Sequence, residues 1–270
     1  MNEQSDKGSA GCKSPPTEFA RSTQQSPCVF TVDQWRILEY DSVTSTNFIA
    51  STLPVWTAVC SKKQTAGRGR FQRHWTADEG GLWLSAVLPS GTAPQWRLLP
   101  LAVGLAVCDA MLELGVQRLR MRWPNDVLVE KRKLAGLLLD QFAPDRTVAG
   151  IGININNQPE ALDAALSNKT TRLADLLPHT PAVRDVAACV LRHLSETTQH
   201  MEQDGLASIH SRIQSLWGEP RRVELDLDGT LCQGLFTGVD LDGRLLLSDP
   251  SGRLSQYKPH EVRHLTELDQ

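Results

Sequence analysis

The residues of this sequence best suited to holding an anion are Gly67-Arg68-Gly69-Arg70, with Gln64-Thr65-Ala66 before them and Arg73 and Trp75 just beyond. Glycine removes side-chain bulk and lets main-chain N–H groups approach a ligand. Arginine supplies a planar, permanently charged fork suited to phosphate or carboxylate oxygens. Together they predict a mobile cationic loop able to fold over an anionic ligand. Taken alone, the same residues suit a solvated surface loop or an RGG-like nucleic-acid tract equally well. The apolar run Val55-Trp56-Thr57-Ala58-Val59-Cys60 reads as the strand that delivers the loop.

Two further segments add chemistry. Arg122-Trp123-Pro124-Asn125-Asp126 carries turn residues and leads into apolar strands over 127–129 and 134–140, with Glu130-Lys131-Arg132-Lys133 between them as a hairpin tip. Lys131 and Arg132 read as solvated tip residues. Lys133 stands where the tip re-enters an apolar strand, so its ammonium could lie beside a buried site. Gly150-Ile151-Gly152-Ile153-Asn154-Ile155-Asn156-Asn157 is a glycine-interrupted strand whose alternating asparagines share one face. Ser45-Thr46-Asn47-Phe48-Ile49-Ala50 reads as a helix N-terminus, and plain N-capping accounts for its polar triplet as well as ligand contact does.

In this order the four motifs, Ser45-Thr46-Asn47, the Gly-Arg loop, Trp123-Pro124-Asn125-Asp126 with Lys133-Leu134-Ala135-Gly136, and Gly152-Ile153-Asn154, closely resemble the biotin protein ligase (biotin–[acetyl-CoA-carboxylase] ligase) family. The resemblance runs from about Trp35 to the C-terminus. It implies an ATP-dependent ligase that forms biotinyl-5′-AMP and pyrophosphate, then transfers biotin to one lysine of a biotin carboxyl carrier protein with release of AMP. It also implies an α+β fold, a mixed sheet with flanking helices of the class II synthetase-like kind, followed by a small SH3-like β-barrel. Biotin contacts are implied for Ser45, Thr46, Asn47, Gln64, Arg68, Gly69, Arg70, Lys133 and Gly136. Adenylate contacts are implied for Gly67, Arg68, Arg70, Arg73, Trp75, Trp123, Asn125 and Asn154. Lys133 and Arg70 are the implied catalytic pair: Lys133 as the cation shared by biotin carboxylate and α-phosphate, Arg70 as part of the wrap around the adenylate. Mg²⁺ is expected to enter with ATP, no dedicated metal site is expected, and a homodimer is compatible with the resemblance.

Composition is consistent with this and would not have revealed it. At 270 residues there is room for one large core and a small second domain. A net charge of −3 does not advertise nucleic-acid binding. The six cysteines form no CxxC pair, which favours reduced thiols in a cytoplasmic protein over a disulfide or zinc framework. No apolar run approaches the roughly 20 residues that span a bilayer. Residues 1–28, rich in Ser, Gln, Gly, Pro and Thr, are expected to form a disordered tail. They lack the periodic apolar positions of a helix-turn-helix, so a monofunctional ligase without a DNA-binding domain is expected.

The catalytic domain is then expected over 29–217, with a strand over 82–88, a buried helix over 95–114 capped by Gly115, and helices over 183–201 and 206–217. The last domain, 218–270, is read from strands separated by Asp228-Gly229, Asp242-Gly243 and Pro250-Ser251-Gly252 turns. Two other functions stay open on the sequence: a lipoate–protein ligase of the same fold, and a nucleic-acid-binding regulator using the arginine-rich loop.

Overall fold

The computed structural model describes residues 26–91 and 93–268. Most of the tail expected over 1–28 lies outside the described residues. The main body is an eight-stranded sheet in the order β1-β2-β3-β4-β8-β7-β6-β5. The strands are β1 (Cys28–Val32), β2 (Trp35–Val43), β3 (Thr57–Gln64), β4 (Leu82–Pro89), β5 (Leu119–Arg122), β6 (Asp126–Val129), β7 (Arg132–Ala143) and β8 (Arg146–Ile153). Every pairing is antiparallel except β2 with β3, whose connection contains the short helix α1 (Thr46–Ala50).

Side-chain alternation explains why both faces are covered. Ile37, Ala58, Ala86 and Ala149 point into the large core, while their chain neighbours Leu38, Val59, Val87 and Val148 form a second cluster with Ala50 of α1. The large core is filled by α2 (Leu99–Glu113), buried along nearly its whole circumference, and by one face of the amphipathic α5 (Val183–Gln203). Trp35 fastens β2 to α5, its indole N–H lying 2.9 Å from both Leu191 O and Ser195 Oγ. The short helices α3 (Pro159–Leu162) and α4 (Leu173–Leu176) precede α5, and α6 (Gly205–Ser215) follows it.

The strand read over 55–60 lies two residues further on. Trp56 adopts φ +63° and donates its N–H to Val87 O, so β3 begins at Thr57 and runs without interruption to Gln64. The Gly-Arg loop therefore starts close behind a strand end that is fixed on both sides. The helix read over 95–114 divides into a 3-10 turn, Pro94–Leu98, and α2. Gly115 at φ +94° ends it as the sequence suggests, its N–H bonding Leu112 O. Strands β1 and β2 were not distinguished in the sequence.

Five antiparallel strands complete the chain: β9 (Arg221–Leu227), β10 (Thr230–Val239), β11 (Leu245–Ser248), β12 (Leu254–Tyr257) and β13 (His264–Glu267). Asp228 and Gly229, at φ +58° and +94°, form the two-residue turn between β9 and β10. The order is β12-β11-β10-β9-β13, and the outer strands do not pair, so the sheet is open where a closed barrel was expected. Val223, Leu225, Phe236 and Leu247 join the same large core as α2. Among the described residues no helix is long and apolar enough to cross a membrane.

Candidate active site

A cleft of about 820 Å³ opens beside the C-terminal ends of β3 and β8 and the start of β7. Its floor is glycine for a steric reason. A Cβ on Gly136 or Gly152 would stand 2.9 Å from the indole of Trp75, which lies across both strands. Trp75 meets Trp83 edge-on at 6.4 Å, and its buried Nε1–H has no hydrogen-bond partner among the described residues.

One end of the cleft is a neutral polar cluster built at the start of α1. Ser45 occupies the N-cap position with extended backbone, but its side chain makes no capping bond. The Gln64 side-chain oxygen does that work from the end of β3, accepting from Thr46 N at 2.8 Å and from Thr46 Oγ1 at 3.0 Å. Ser85 Oγ lies 2.7 Å from Thr46 Oγ1 and 2.6 Å from Asn47 Oδ1. Asn47 donates through Nδ2 to Asp140 Oδ2 at 2.9 Å. Gly150 makes room for the Asn47 amide, since a Cβ there would come within 2.4 Å of its oxygen. The cluster therefore offers donors and acceptors pre-set by neighbours on four different strands and a helix.

The middle of the cleft is charged. Lys133 Nζ pairs with Asp126 Oδ1 at 2.5 Å and stands 4.9 Å from the centre of the Trp75 ring. Arg122 holds the other oxygen, Oδ2, also at 2.5 Å. Burial pushes the Asp126 carboxyl upward, but Lys133 and Arg122 together outweigh it and hold the group below its ordinary 3.8. Asp126 thus fixes two cations side by side at the hairpin. The main chain of Lys133 is itself anchored, its N–H bonding Lys169 O and its carbonyl accepting from Thr171 N.

The Gly-Arg loop is closed on itself. Gly69 N bonds Arg73 O at 2.8 Å, Trp75 N bonds Gly67 O at 3.0 Å, and Phe71 and Gln72 both take positive φ at its tip. The tip is pinned to the C-terminal segment. Arg70 donates to the carbonyls of Pro259 and Val262, Arg73 donates to Arg263 O, and the Arg70 and Arg263 guanidinium groups stack on Phe71 at 4.8 and 5.0 Å. Desolvation, with Arg73 nearby, lowers the Arg70 pKa, while Asp126 opposes the fall. His264, on the same wall, is likewise lowered by burial and by Arg73 and Arg122.

Of the residues singled out in the sequence, Ser45, Thr46, Asn47, Gln64, Arg68, Gly69, Arg70, Arg73, Trp75, Lys133 and Gly136 line this cleft together. Gly67 sits behind it, packed within 2.4 Å of Trp75 O if given a Cβ. Trp123, Asn125 and Asn154 also border the cleft, but their polar side-chain atoms are engaged elsewhere. Trp123 is 2% exposed and donates Nε1–H to Gly243 O. Asn125 donates to Leu137 O, and Asn154 donates to Thr171 O while accepting from Asn157. Sequence reasoning missed Ser85, Asp140, Phe71, Arg263 and His264. Ser85 and Asp140 lie inside apolar strands, and Arg263 is 190 residues from Arg73, whose guanidinium donates to its carbonyl.

The carboxylates that line the cleft all have partners among the described residues. Asp126 is held between two cations and Asp140 by Asn47, and Asp163 accepts from Ala165 N. Among the described residues the one converging set of three ligand-type side chains, Glu113, Cys189 and His193, lies elsewhere.

Residues 39–156 match the Biotin/lipoate A/B protein ligase family. The biotin--[acetyl-CoA-carboxylase] ligase of Mycobacterium tuberculosis is 34% identical, covering 76% of this chain and 77% of its own length. The bifunctional ligase/repressor BirA of Bacillus subtilis is 31% identical over 80% of this chain and 70% of its own. The biotin protein ligase of Aquifex aeolicus, solved with biotin and ATP, superposes with a TM-score of 0.75 at 26% identity. That superposition covers 86% of this chain and 99% of that one.

Proposed function

The chain belongs to the biotin protein ligase family, and on that premise we propose how its cleft divides the work of making and transferring biotinyl-5′-AMP. The protein is an ATP-dependent biotin ligase: it joins biotin to AMP with loss of pyrophosphate, then passes the biotinyl group to a lysine of a biotin carboxyl carrier protein. The observation that carries the assignment of roles is Lys133, seated between the neutral polar cluster and the Gly-Arg loop and beside the Trp75 ring.

A ureido ring presents two N–H donors and one carbonyl acceptor. The Ser45, Thr46, Asn47, Gln64 and Ser85 cluster offers complementary groups at fixed positions, and Trp75, laid across Gly136 and Gly152, offers an apolar ring beside them. Lys133 then meets the valerate carboxylate. Two anions must approach for the carboxylate oxygen to attack the α-phosphorus, and a fixed cation between them lowers that cost most where charge concentrates in the transition state. As the new C(O)O–P bond forms, the bond from the α-phosphorus to the bridging oxygen breaks and pyrophosphate leaves. Arg68, Arg70 and Arg73 cover the phosphate side, and their closed loop shields the anhydride from water. In the second step the acceptor lysine amine attacks the acyl carbon and AMP departs.

Mg²⁺ would enter with ATP and would supply charge neutralisation on the triphosphate; the cleft carboxylates Asp126 and Asp140 are paired with Lys133, Arg122 and Asn47. The C-terminal sheet is read as an SH3-like unit whose 259–264 segment completes the wall of the adenylate site. A net charge of −3 leads us to expect only weak, salt-sensitive association with duplex DNA. The test is pyrophosphate exchange into ATP. Exchange that depends on biotin and not on lipoate supports the reading, and exchange with lipoate alone, or with neither acid, overturns it.

A further inference from the structure

Where the end of α2 meets α5, at the edge of the core, Glu113, Cys189 and His193 bring a carboxylate, a thiol and an imidazole within 4.8 Å of one another. None of the three lines the active-site cleft. We infer that this cluster is a second, metal-binding site that takes a zinc-class divalent ion, with Cys189 Sγ, His193 Nε2 and Glu113 Oε2 as ligands. The inference does not depend on how biotin and ATP are bound.

Helix geometry explains the grouping. Cys189 and His193 are four residues apart on α5, so their side chains project from one face. Glu113, the last residue of α2, reaches the same point from the neighbouring helix. Tetrahedral zinc holds sulfur at about 2.3 Å and nitrogen or oxygen at about 2.0–2.2 Å, which places ligand atoms roughly 3.3–3.8 Å apart. The cluster meets that spacing with small side-chain adjustments. The present 2.9 Å contact between His193 Nε2 and Glu113 Oε2 opens by less than an ångström to admit the ion.

The surroundings are arranged as they are around a histidine ligand. His193 Nδ1 lies 3.0 Å from Glu196 Oε2, which fixes the ring and leaves Nε2 with its lone pair toward the other two ligands. Arg192 occupies Glu113 Oε1 at 2.5 Å and so leaves Oε2 for the metal. Cys189 is buried, and its thiol faces Ala110 O at 3.6 Å; on binding, the thiol proton passes to solvent and the thiolate bonds the ion. His193 and Glu196 also border a depression of about 260 Å³. One thiolate and one carboxylate neutralise a divalent ion, and softness favours zinc over magnesium or calcium.

The experiment uses the full chain, reduced with a non-chelating phosphine and stripped of metal. Co²⁺ is added as a spectroscopic probe, and Zn²⁺ affinity is measured by competition with a chromophoric chelator. The expected result is one tight equivalent with tetrahedral d–d bands and a thiolate-to-cobalt charge-transfer band. That band should vanish in Cys189→Ser. Zn²⁺ should bind roughly 10–100-fold more weakly to Glu196→Gln, which touches only the histidine. Glu113→Gln, at an exposed position, keeps the fold and should lose still more. Absence of tight binding overturns the inference, as does a charge-transfer band that survives in Cys189→Ser. Zn²⁺ affinity unchanged in Glu113→Gln would do so as well, leaving the cluster a set of ion pairs across two helices.

Discussion

Lys133→Ala separates the ion pair that this side chain makes in the structure from the catalytic role proposed for it. In the cleft Lys133 is one of two cations on Asp126, 2.5 Å from Oδ1, while Arg122 is equally close to Oδ2. Removing the lysine therefore does not orphan a buried carboxylate. The stability cost should stay at about 1–2 kcal/mol, well below the roughly 3–5 kcal/mol of a buried charge stripped of its only partner. In the proposed mechanism Lys133 is the cation shared by carboxylate and α-phosphate, and Arg122 stays paired with Asp126. Loss of one such contact costs roughly 3–4 kcal/mol in the transition state, a 10²–10³-fold slowing. Quenched single-turnover formation of biotinyl-AMP, with a urea unfolding curve on the same preparation, measures both. The reasoning fails if the variant forms the adenylate at the normal rate. It fails also if stability drops by more than about 3 kcal/mol, since the ion pair would then be the main role of Lys133.

Arg70→Gly removes the donors to Pro259 and Val262 and should release biotinyl-AMP faster than it slows its formation, seen as quicker adenylate dissociation and label on non-cognate lysines. Gly152→Ala drives a methyl group against the Trp75 indole; overpacking of about 1–3 kcal/mol should lower Tm and raise KM for biotin, and an unchanged KM would show that Trp75 moves freely. The Asp126 carboxyl has its pKa depressed on folding, so its contribution to stability is complete above the unfolded value near 3.8 and fades as pH falls through the lower folded value. Asp126→Asn should accordingly be less stable than wild type at pH 7, with the gap closing below about pH 4. A constant gap across that range would mean the pair contributes nothing through ionisation.

How much of this was legible depended on sequence distance. The Gly-Arg loop, the Lys133 hairpin and the Gly150–Asn157 segment carried their own signals, because glycine spacing and turn residues act locally. That Gly136 and Gly152 share one indole was not readable, since their strands pair only once the sheet exists. The loop was expected to be mobile; its closure depends on Phe71 meeting Arg263 and on Arg70 reaching carbonyls at 259 and 262, contacts no local pattern encodes. The Ser45 triplet was rightly placed at a helix start, but the cap comes from Gln64 because parallel pairing of β2 with β3 brings that side chain alongside. Trp123 was expected in the pocket as part of its motif and does border it, but no local pattern encodes that its Nε1–H donates to Gly243 O, 120 residues away.

The joint with the C-terminal sheet has a consequence for how the chain comes apart. Phe236 and Leu247 pack in the same cluster as Leu101 and Met121, and Glu267 is held by Arg120 and Arg221 together. The last fifty residues are therefore expected to unfold together with the sheet they pack on. A chain cut after Trp217 would present the catalytic sheet with a hollow where Phe236 stood against that tryptophan, 5.5 Å away edge to face. Heating should accordingly give one calorimetric peak whose van't Hoff and calorimetric enthalpies agree. Exchanging the terminal sheet between relatives should succeed only when its inward-facing side chains travel with the residues they meet.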